Sequence, residues 1–476
     1  MRILFLLPEA TGWLGTVHHG KAGIARLSLT TLASLTPPHH EIVYRDSRVH
    51  EIDFDMDVDL VCITALTNEA PHAYFLADEF RRRGVTVIMG GVHVSACPDE
   101  ALEHCDAIVI HEAEGIWEGI LDDVERGELK RTYKNSTYVS LNGLPNPRRD
   151  LLDHRMYSCP NSLIATRGCP FKCNYCTVTS FFGNTFRVRP PDEVLAELHS
   201  MRPGRVFFMD DNLIGNLAYA KELLEVLRGC GRRWGSQASI NLAQDQKLLE
   251  AYHAAGGDWV FIGFETLSEA NLRASKKTFN LKGEYEDAIK RIHDAGISIY
   301  GSFIFGFDDD EPGVFADTLE FIMKNRIDMA MYHILTPYPG TELRDIMLEE
   351  GRVIDFDWIH YNNCEVVIQP RRMTVEQLQE GYHWMHRQTY SMRGICRRVL
   401  GRSPLTLPER FFANLVGRRK AKAYPEPSIP FHEFGGDRGR STLQRIDKSA
   451  PPAEPMPGEP IPLTEQAAED LEEMRL

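Results

Sequence analysis

Short continuous apolar runs, each followed by a helical pattern, recur along this chain and leave few folds open to it. In the first 130 residues the runs are RILFLL at 2–7, DLVCITAL at 59–66, TVIMGG at 86–91 and DAIVIH at 106–111. They do not alternate apolar with polar residues, so neither face of such a strand is destined for water, which is the pattern of a parallel sheet covered on both sides. Between them AYFLADEFRRRG and PDEALEHC have helical spacing, and Gly84 ends the first as a C-cap does. The expectation is α/β: a doubly wound domain over 1–134, with ligands at the carboxyl ends of its strands.

Residues 135–160, NSTYVSLNGLPNPRRDLLDHRMYSCP, break the rhythm with turn residues and three prolines and read as a linker. A second alternation follows, with strands near 162–167, 205–210, 235–240, 259–264, 299–305 and 330–336. Six β/α units of this spacing predict a partial (β/α)6 barrel over 161–345, its chemistry at the strands' carboxyl ends. Over 346–425 strands give way to a mostly helical region, and 426–476, proline-rich and then acidic, reads as a disordered tail.

Charge narrows the partners. With 53 Lys and Arg against 68 Asp and Glu, a net charge of -15 and a pI near 5.7, the chain lacks the basic excess of a nucleic-acid binder. The opening MRILFLLPEA has too short an apolar run for a secretory leader, and no stretch approaches the ~18 apolar residues of a membrane span. Ten cysteines without a lattice of spacings suit a reducing, cytoplasmic setting. Cys62, inside VDLVCITAL, reads as a buried inert thiol.

Three cysteines stand apart. RGCPFKCNYC at 167–176 places Cys169, Cys173 and Cys176 directly after the first strand of the second alternation. A structural zinc site needs a fourth ligand, for which Cys159 or His154 could be recruited. Three thiolates can instead hold three corners of a [4Fe–4S] cube and leave one iron to a ligand that is not protein. A structural or redox role for the thiols is the third possibility.

CPFKCNYC, with Tyr175 just before the last cysteine, resembles the CxxxCxxC signature of the radical S-adenosylmethionine (radical SAM) enzymes. FFMDDN at 207–212 lies where that family binds the methionyl amino group. GFET at 263–266 is similar to its GIES element at the ribose, GSFIFGF at 301–307 to its GxIxG element beside adenine, and LTPYPGTEL at 335–343 to its closing strand. The resemblance implies a cluster on Cys169, Cys173 and Cys176, SAM chelating the open iron, and a 5′-deoxyadenosyl radical that abstracts hydrogen from an unactivated carbon. It implies SAM contacts at Tyr175, Asp210, Asp211, Gln237, Ser239, Gly263, Glu265 and Gly306. The plainer readings are that Asp210 and Asp211 cap the next helix and that Glu265 belongs to a structural ion pair.

The N-terminal domain resembles the cobalamin-binding class of the same superfamily. MGGVHVSACPDEAL is similar to its GGxHxxxxPEE element and HEAEGIWEGIL at 111–121 to its GEGE element. Thr64, Leu66, Gly90, Gly91, Val92, His93, Glu114 and Gly115 are the cobalamin contacts this implies, with His93 as a loop residue near the corrin and not a metal ligand. The DxHxxG motif that carries a cobalt-ligating histidine in other cobalamin domains is missing, and His18 and His19 match it only by residue type. The alternative is a domain that keeps the fold and binds no cobalamin.

With both cofactors, the resemblance implies methyl transfer from SAM to an unactivated carbon of a small-molecule, lipid or pigment substrate, served by an electron donor such as flavodoxin or ferredoxin. The alternatives are a radical SAM cyclase or rearrangement enzyme, and a non-catalytic iron–sulfur or cobalamin sensor. Residues 393–422 hold nine Lys or Arg against one Glu, interleaved with Ile395, Val399, Leu400, Phe411, Phe412, Leu415 and Val416. They read either as a membrane-surface helix or as a basic face packed on the barrel or solvated. No residue declares itself as the catalytic acid or base.

Overall fold

In the structure, a computed structural model that describes residues 1–10, 22–282, 285–400 and 407–425, the N-terminal runs form a parallel six-stranded sheet. His18, His19, the 426–476 tail and residues 401–406 of the basic segment lie outside the described residues. The strands are β1 (Arg2–Leu7), β2 (Glu41–Asp46), β3 (Leu60–Thr64), β4 (Thr86–Gly90), β5 (Ala107–Ile110) and β6 (Thr132–Lys134), in the order β2-β1-β3-β4-β5-β6. The four predicted strands are the interior ones; the polar sequences EIVYRD and TYK conceal the two edge strands. Phe5, Cys62 and Ile88 point into one apolar layer and Leu4, Val61 and Met89 into the other, so both faces are covered and Cys62 is buried as expected. The order reverses between β1 and β3, which puts the ligand crevice of such a sheet at their carboxyl ends.

The second sheet is also parallel and six-stranded: β7 (Ser162–Leu163), β8 (Val206–Phe208), β9 (Trp234–Ala238), β10 (Gly257–Glu265), β11 (Ser298–Phe305) and β12 (Met329–Ile334) pair in sequential order. It is the partial barrel expected. Period-two burial separates its faces. Val260, Ile262 and Phe264 of β10 and Ala330, Tyr332 and Ile334 of β12 sink into the core beneath the helices, while Trp259, Phe261, Gly263 and Glu265, and Met329, Met331 and His333, take the other face. On that inner face Phe207, Trp259 and Tyr300 stack in a ladder, with centroids 5.2 and 4.6 Å apart. Gly235 makes the ladder possible, since a Cβ there would come within 1.9 Å of the Trp259 ring.

Residues 135–160 are packed against both halves. Leu141, Leu152 and Tyr157 are buried, Tyr157–Cys159 pairs in parallel with Ala22–Ile24, and the Tyr157 hydroxyl donates to Asp46 at 2.9 Å. The basic segment also turns inward in part. In the helix Met392–Val399, Ile395 and Val399 are buried, and Arg398 donates to the carbonyls of Ile327, Asp328 and Thr389. In the helix Leu407–Ala423, Arg410 pairs with Asp328 at 3.2 Å, while Phe412 (69% exposed) and Val416 (45%) face out. The packed-face reading therefore holds for Arg398 and Arg410. No helix among the described residues is long and apolar enough to cross a membrane.

Candidate active site

The cysteine loop leaves the barrel just past β7 and is held on three sides. From β8, Asp210 accepts the N–H groups of Ala165 and Thr166 and the Thr166 hydroxyl, and Asp211 accepts the N–H of Gly168 at 2.9 Å. Gly168 has φ +86, and a Cβ there would meet the Thr185 carbonyl at 2.2 Å, so glycine is required. Across the loop, Asn174 donates its N–H to the Ser275 carbonyl and accepts from Leu343, and Phe171 stacks on Phe279 at 3.6 Å. Cys176 then opens the helix Thr177–Phe182.

These contacts change two expectations. Neither aspartate caps the next helix, whose N-cap is Asn216. Asp210, fully buried, commits its carboxylate to the strand that carries the cysteines and leaves the set of groups free to meet a ligand. Asn212, the last residue of FFMDDN, joins the site instead: its Nδ2 reaches Cys169 Sγ at 3.9 Å and its Oδ1 accepts the Ser239 N–H at 3.2 Å.

All three cysteines are free. Burial pushes their thiols up, Cys176 to about 12, and Lys277 opposes this at Cys169 and Cys173. Besides the backbone of Phe171 and Val178 and the side chains of Asn212 and Tyr175, the groups acting on them are Cys169 and Cys173, Asp211, Glu265 and Lys277; neither Cys159 nor His154 is among these. Cys159 lies in the strand beside Ala22–Ile24, its thiol 3.9 Å from the Asn161 carbonyl. A bound cation removes the penalty on buried thiolates, so this donor set fits a metal centre better than it fits bare thiols.

Glu265 ends β10 at a register shift and holds φ 65, a strained backbone for a side-chain-bearing residue. Its carboxylate takes the Lys277 ammonium at 2.5 Å and the Ser302 hydroxyl at 3.3 Å, so the structural ion pair is present. Gly263 makes room for it: a Cβ would lie 2.1 Å from Glu265 Oε1 and 2.9 Å from Lys277 Nζ. Lys277, buried and also 5.4 Å from the Phe279 ring, has no signal in the sequence beyond its type. Tyr175 meets Phe307 edge-on at 6.1 Å. Gly306 has φ +102, and its N–H and that of Phe307 donate to Asp310 at 2.9 and 3.0 Å. Gln237 lies on β9, where its carbonyl accepts from Leu213. Tyr175, Asp211, Glu265 and the cysteines thus come together at the carboxyl ends of the barrel strands.

In the N-terminal sheet, Thr64, Leu66, Gly90 and Gly91 gather at the carboxyl ends of β3 and β4, and Leu66 is 43% exposed there. Gly91, at φ +103, is small for the protein's own sake, because a Cβ would strike Thr64 Oγ1 at 2.6 Å and the Ala65 carbonyl at 2.9 Å. His93 corrects the loop expectation: with Val92 it begins the helix Val92–Ala96, fully buried, with Nε2 3.0 Å from the Tyr74 hydroxyl and 3.4 Å from Glu100. Glu114 accepts from Arg167 at 2.6 Å, Glu112 from Arg167 and Arg187 at 2.7 Å, and Gly115 turns the chain at φ +86. The GEGE-like loop therefore grips the residue two before Cys169. At the end of β5, His111 holds φ 63 and buries Nδ1 without a hydrogen-bond partner among the described residues. An exposed apolar residue at the end of β3 and an unsatisfied polar atom at the end of β5, both at the carboxyl ends of the strands, fit a bound cofactor.

The profile of the Radical SAM superfamily matches residues 163–322, and that of the B12 binding domain matches residues 33–121. Bacteriochlorophyllide d C-12(1)-methyltransferase of Chlorobaculum tepidum is 34% identical over 414 residues, covering 84% of this chain and 90% of that protein. Bacteriochlorophyllide d C-8(2)-methyltransferase of the same organism is 32% identical over 396 residues, 79% of this chain and 87% of that protein. Among solved structures, the cobalamin-dependent S-adenosylmethionine radical enzyme OxsB with aqua-cobalamin bound superposes with a TM-score of 0.65 at 14% identity, over 88% of this chain and 72% of that one, a likeness of fold.

Proposed function

This chain belongs to the radical SAM superfamily, in the branch that carries a B12-binding domain, and we propose on that footing that it methylates an unactivated carbon of a chlorin pigment. It is an enzyme of the cobalamin-dependent methyltransferase kind. The observation that carries the substrate reading is 34% identity along 84% of the chain to a methyltransferase named for a bacteriochlorophyllide. When bound, the [4Fe–4S] cluster, SAM and cobalamin supply a carbon-centred radical and a transferable methyl group.

The chain's own residues bind and orient. Cys169, Cys173 and Cys176 would hold the cluster, at the loop where SAM would bind. Asp210, Asp211 and Asn212 keep that loop on the barrel, and Glu265, with Lys277 as counter-ion, presents a carboxylate oxygen to the nucleoside. Gly306 and Gly263 keep the floor of the nucleoside site low, Gln237 and Ser239 line it, and Tyr175 with Phe307 covers the cluster from water. On the other side Thr64, Leu66, Gly90, Gly91 and Val92 form the edge that meets cobalamin. His93 stiffens that edge from within, and Glu114 with Gly115 ties it to the cluster loop through Arg167.

The reading extends to a low-potential flavodoxin or ferredoxin as electron donor, to a cytoplasmic setting, and to peripheral membrane contact through 393–422. Phe412 and Val416, exposed one turn apart beside exposed Lys420, support the last. The deciding experiment is anaerobic reconstitution with iron, sulfide and cobalamin, then turnover with SAM and a chlorophyllide. S-adenosylhomocysteine, 5′-deoxyadenosine and a methylated pigment are the expected products, and Cys173→Ala should lose the cluster absorbance. Deoxyadenosine with no methylated pigment, in the presence of cobalamin, would reject methyl transfer.

A further inference from the structure

One histidine of the barrel has no task in the site just described. His333 lies on the inner face of β12 with Met331, opposite the buried Ala330, Tyr332 and Ile334, and in register with Ile304 of β11. It keeps accessible surface, and its side chain has no hydrogen bond or ion pair among the described residues. A polar side chain set so deep without a partner is uncommon and calls for an occupant.

We propose that His333 is the axial ligand of the substrate's central metal, so that this barrel selects a metallated chlorin over a metal-free one. The inference rests on the chlorin reading above and adds the group that recognises the ring. Chlorophyllides are magnesium chlorins whose metal takes a further ligand perpendicular to the ring, and neutral imidazole is the commonest side-chain metal ligand. Burial lowers the pKa of His333, which keeps the imidazole neutral and its lone pair free. The flanking inner-face residues Ile304 and Met331 are apolar, as a flat macrocycle requires, and Met331 is 39% exposed at the open edge of the sheet.

The position also suits the chemistry. The Glu265 carboxylate, at the carboxyl end of β10, acts electrostatically on His333 and also on Cys173 and Tyr175 of the cluster loop, which puts His333 on the side of the inner face that the cluster loop shares.

The test uses the full-length, cluster- and cobalamin-loaded protein and needs no turnover. Zinc pheophorbide and metal-free pheophorbide are titrated in, following the chlorin's red absorption band, which lies clear of the cluster and the corrin. The expected result is a shift of the band for the zinc probe and binding about tenfold tighter than for the metal-free probe. His333→Ala should abolish the shift and the preference while leaving metal-free binding unchanged, and imidazole added to the variant should restore the shift. Unchanged cluster and cobalamin spectra certify that the variant is folded. Equal binding of the two probes by the native protein, or a preference that survives in His333→Ala, overturns the role of His333 and leaves the chlorin reading standing. If neither chlorin binds while SAM is still cleaved, the chlorin reading falls and His333 as a ligand falls with it.

Discussion

The carboxylate of Asp210 is locked to Thr166, receiving both its backbone N–H and its hydroxyl, the latter at 2.7 Å, at a point three residues before Cys169. The strand that carries the cysteines is thereby stitched to the second barrel strand by a buried acceptor with no solvent to replace it. Asp210→Ala leaves those donors unpaired and should cost about 2–4 kcal/mol of stability, with iron content after reconstitution falling in parallel. Denaturant unfolding and iron assay check it; a variant with native stability and full iron would sink the stitching role.

Arg167 links the two sheets, with Glu112 and Glu114 from one side and the cluster loop on the other. Removing one member of a buried ion network strands the remaining charges. Arg167→Ala should therefore destabilise by about 3–5 kcal/mol, and Arg167→Ala combined with Glu114→Ala by less than the sum of the single changes. Urea midpoints of the four proteins give the coupling directly.

Two adjacent glycines should respond differently. A Cβ at Gly90 meets its nearest neighbour, the Val109 carbonyl, at an ordinary 3.5 Å, whereas at Gly91 it collides with Thr64 and Ala65 on a backbone at φ +103. Gly90→Ala should change stability by less than about 1 kcal/mol and Gly91→Ala should cost about 2–4 kcal/mol. If thermal melts rank them the other way, the packing account of Gly91 is wrong.

His386 makes the fold acid-sensitive. Burial above all, with His333 and His383 adding to it, holds its pKa at about 3 against an ordinary 6.5. The unfolded chain thus binds a proton that the folded chain refuses across that window. Stability from this group is complete above pH 6.5 and is lost as pH falls towards 3, by about 2 kcal/mol at pH 5. Urea unfolding at a series of pH values should show His386→Leu with a flatter acid limb than the native protein; equal slopes would remove His386 as the cause.

Much was decided by local pattern. Continuous apolar runs recur whenever a strand is covered on both faces, so both parallel sheets could be read directly. The spacing of Cys169, Cys173 and Cys176 is a chemical constraint within one short loop, and the glycines at turns answer to backbone sterics alone. Edge strands β2 and β6 escaped because one side of an edge faces water and their sequences carry polar residues.

What the tertiary structure alone decided is who pairs with whom. Asp210 could as well have been a cap or a ligand until the fold brought it to Thr166, 44 residues earlier in the chain. Glu265 needed Lys277, Arg167 needed Glu112 and Glu114, and His333 became notable only when its strand put it on the inner face with no partner among the described residues. A residue's type and spacing state what it can do. Burial, and the charge that burial obliges a neighbour to supply, determine what it does, and both exist only once distant segments have packed.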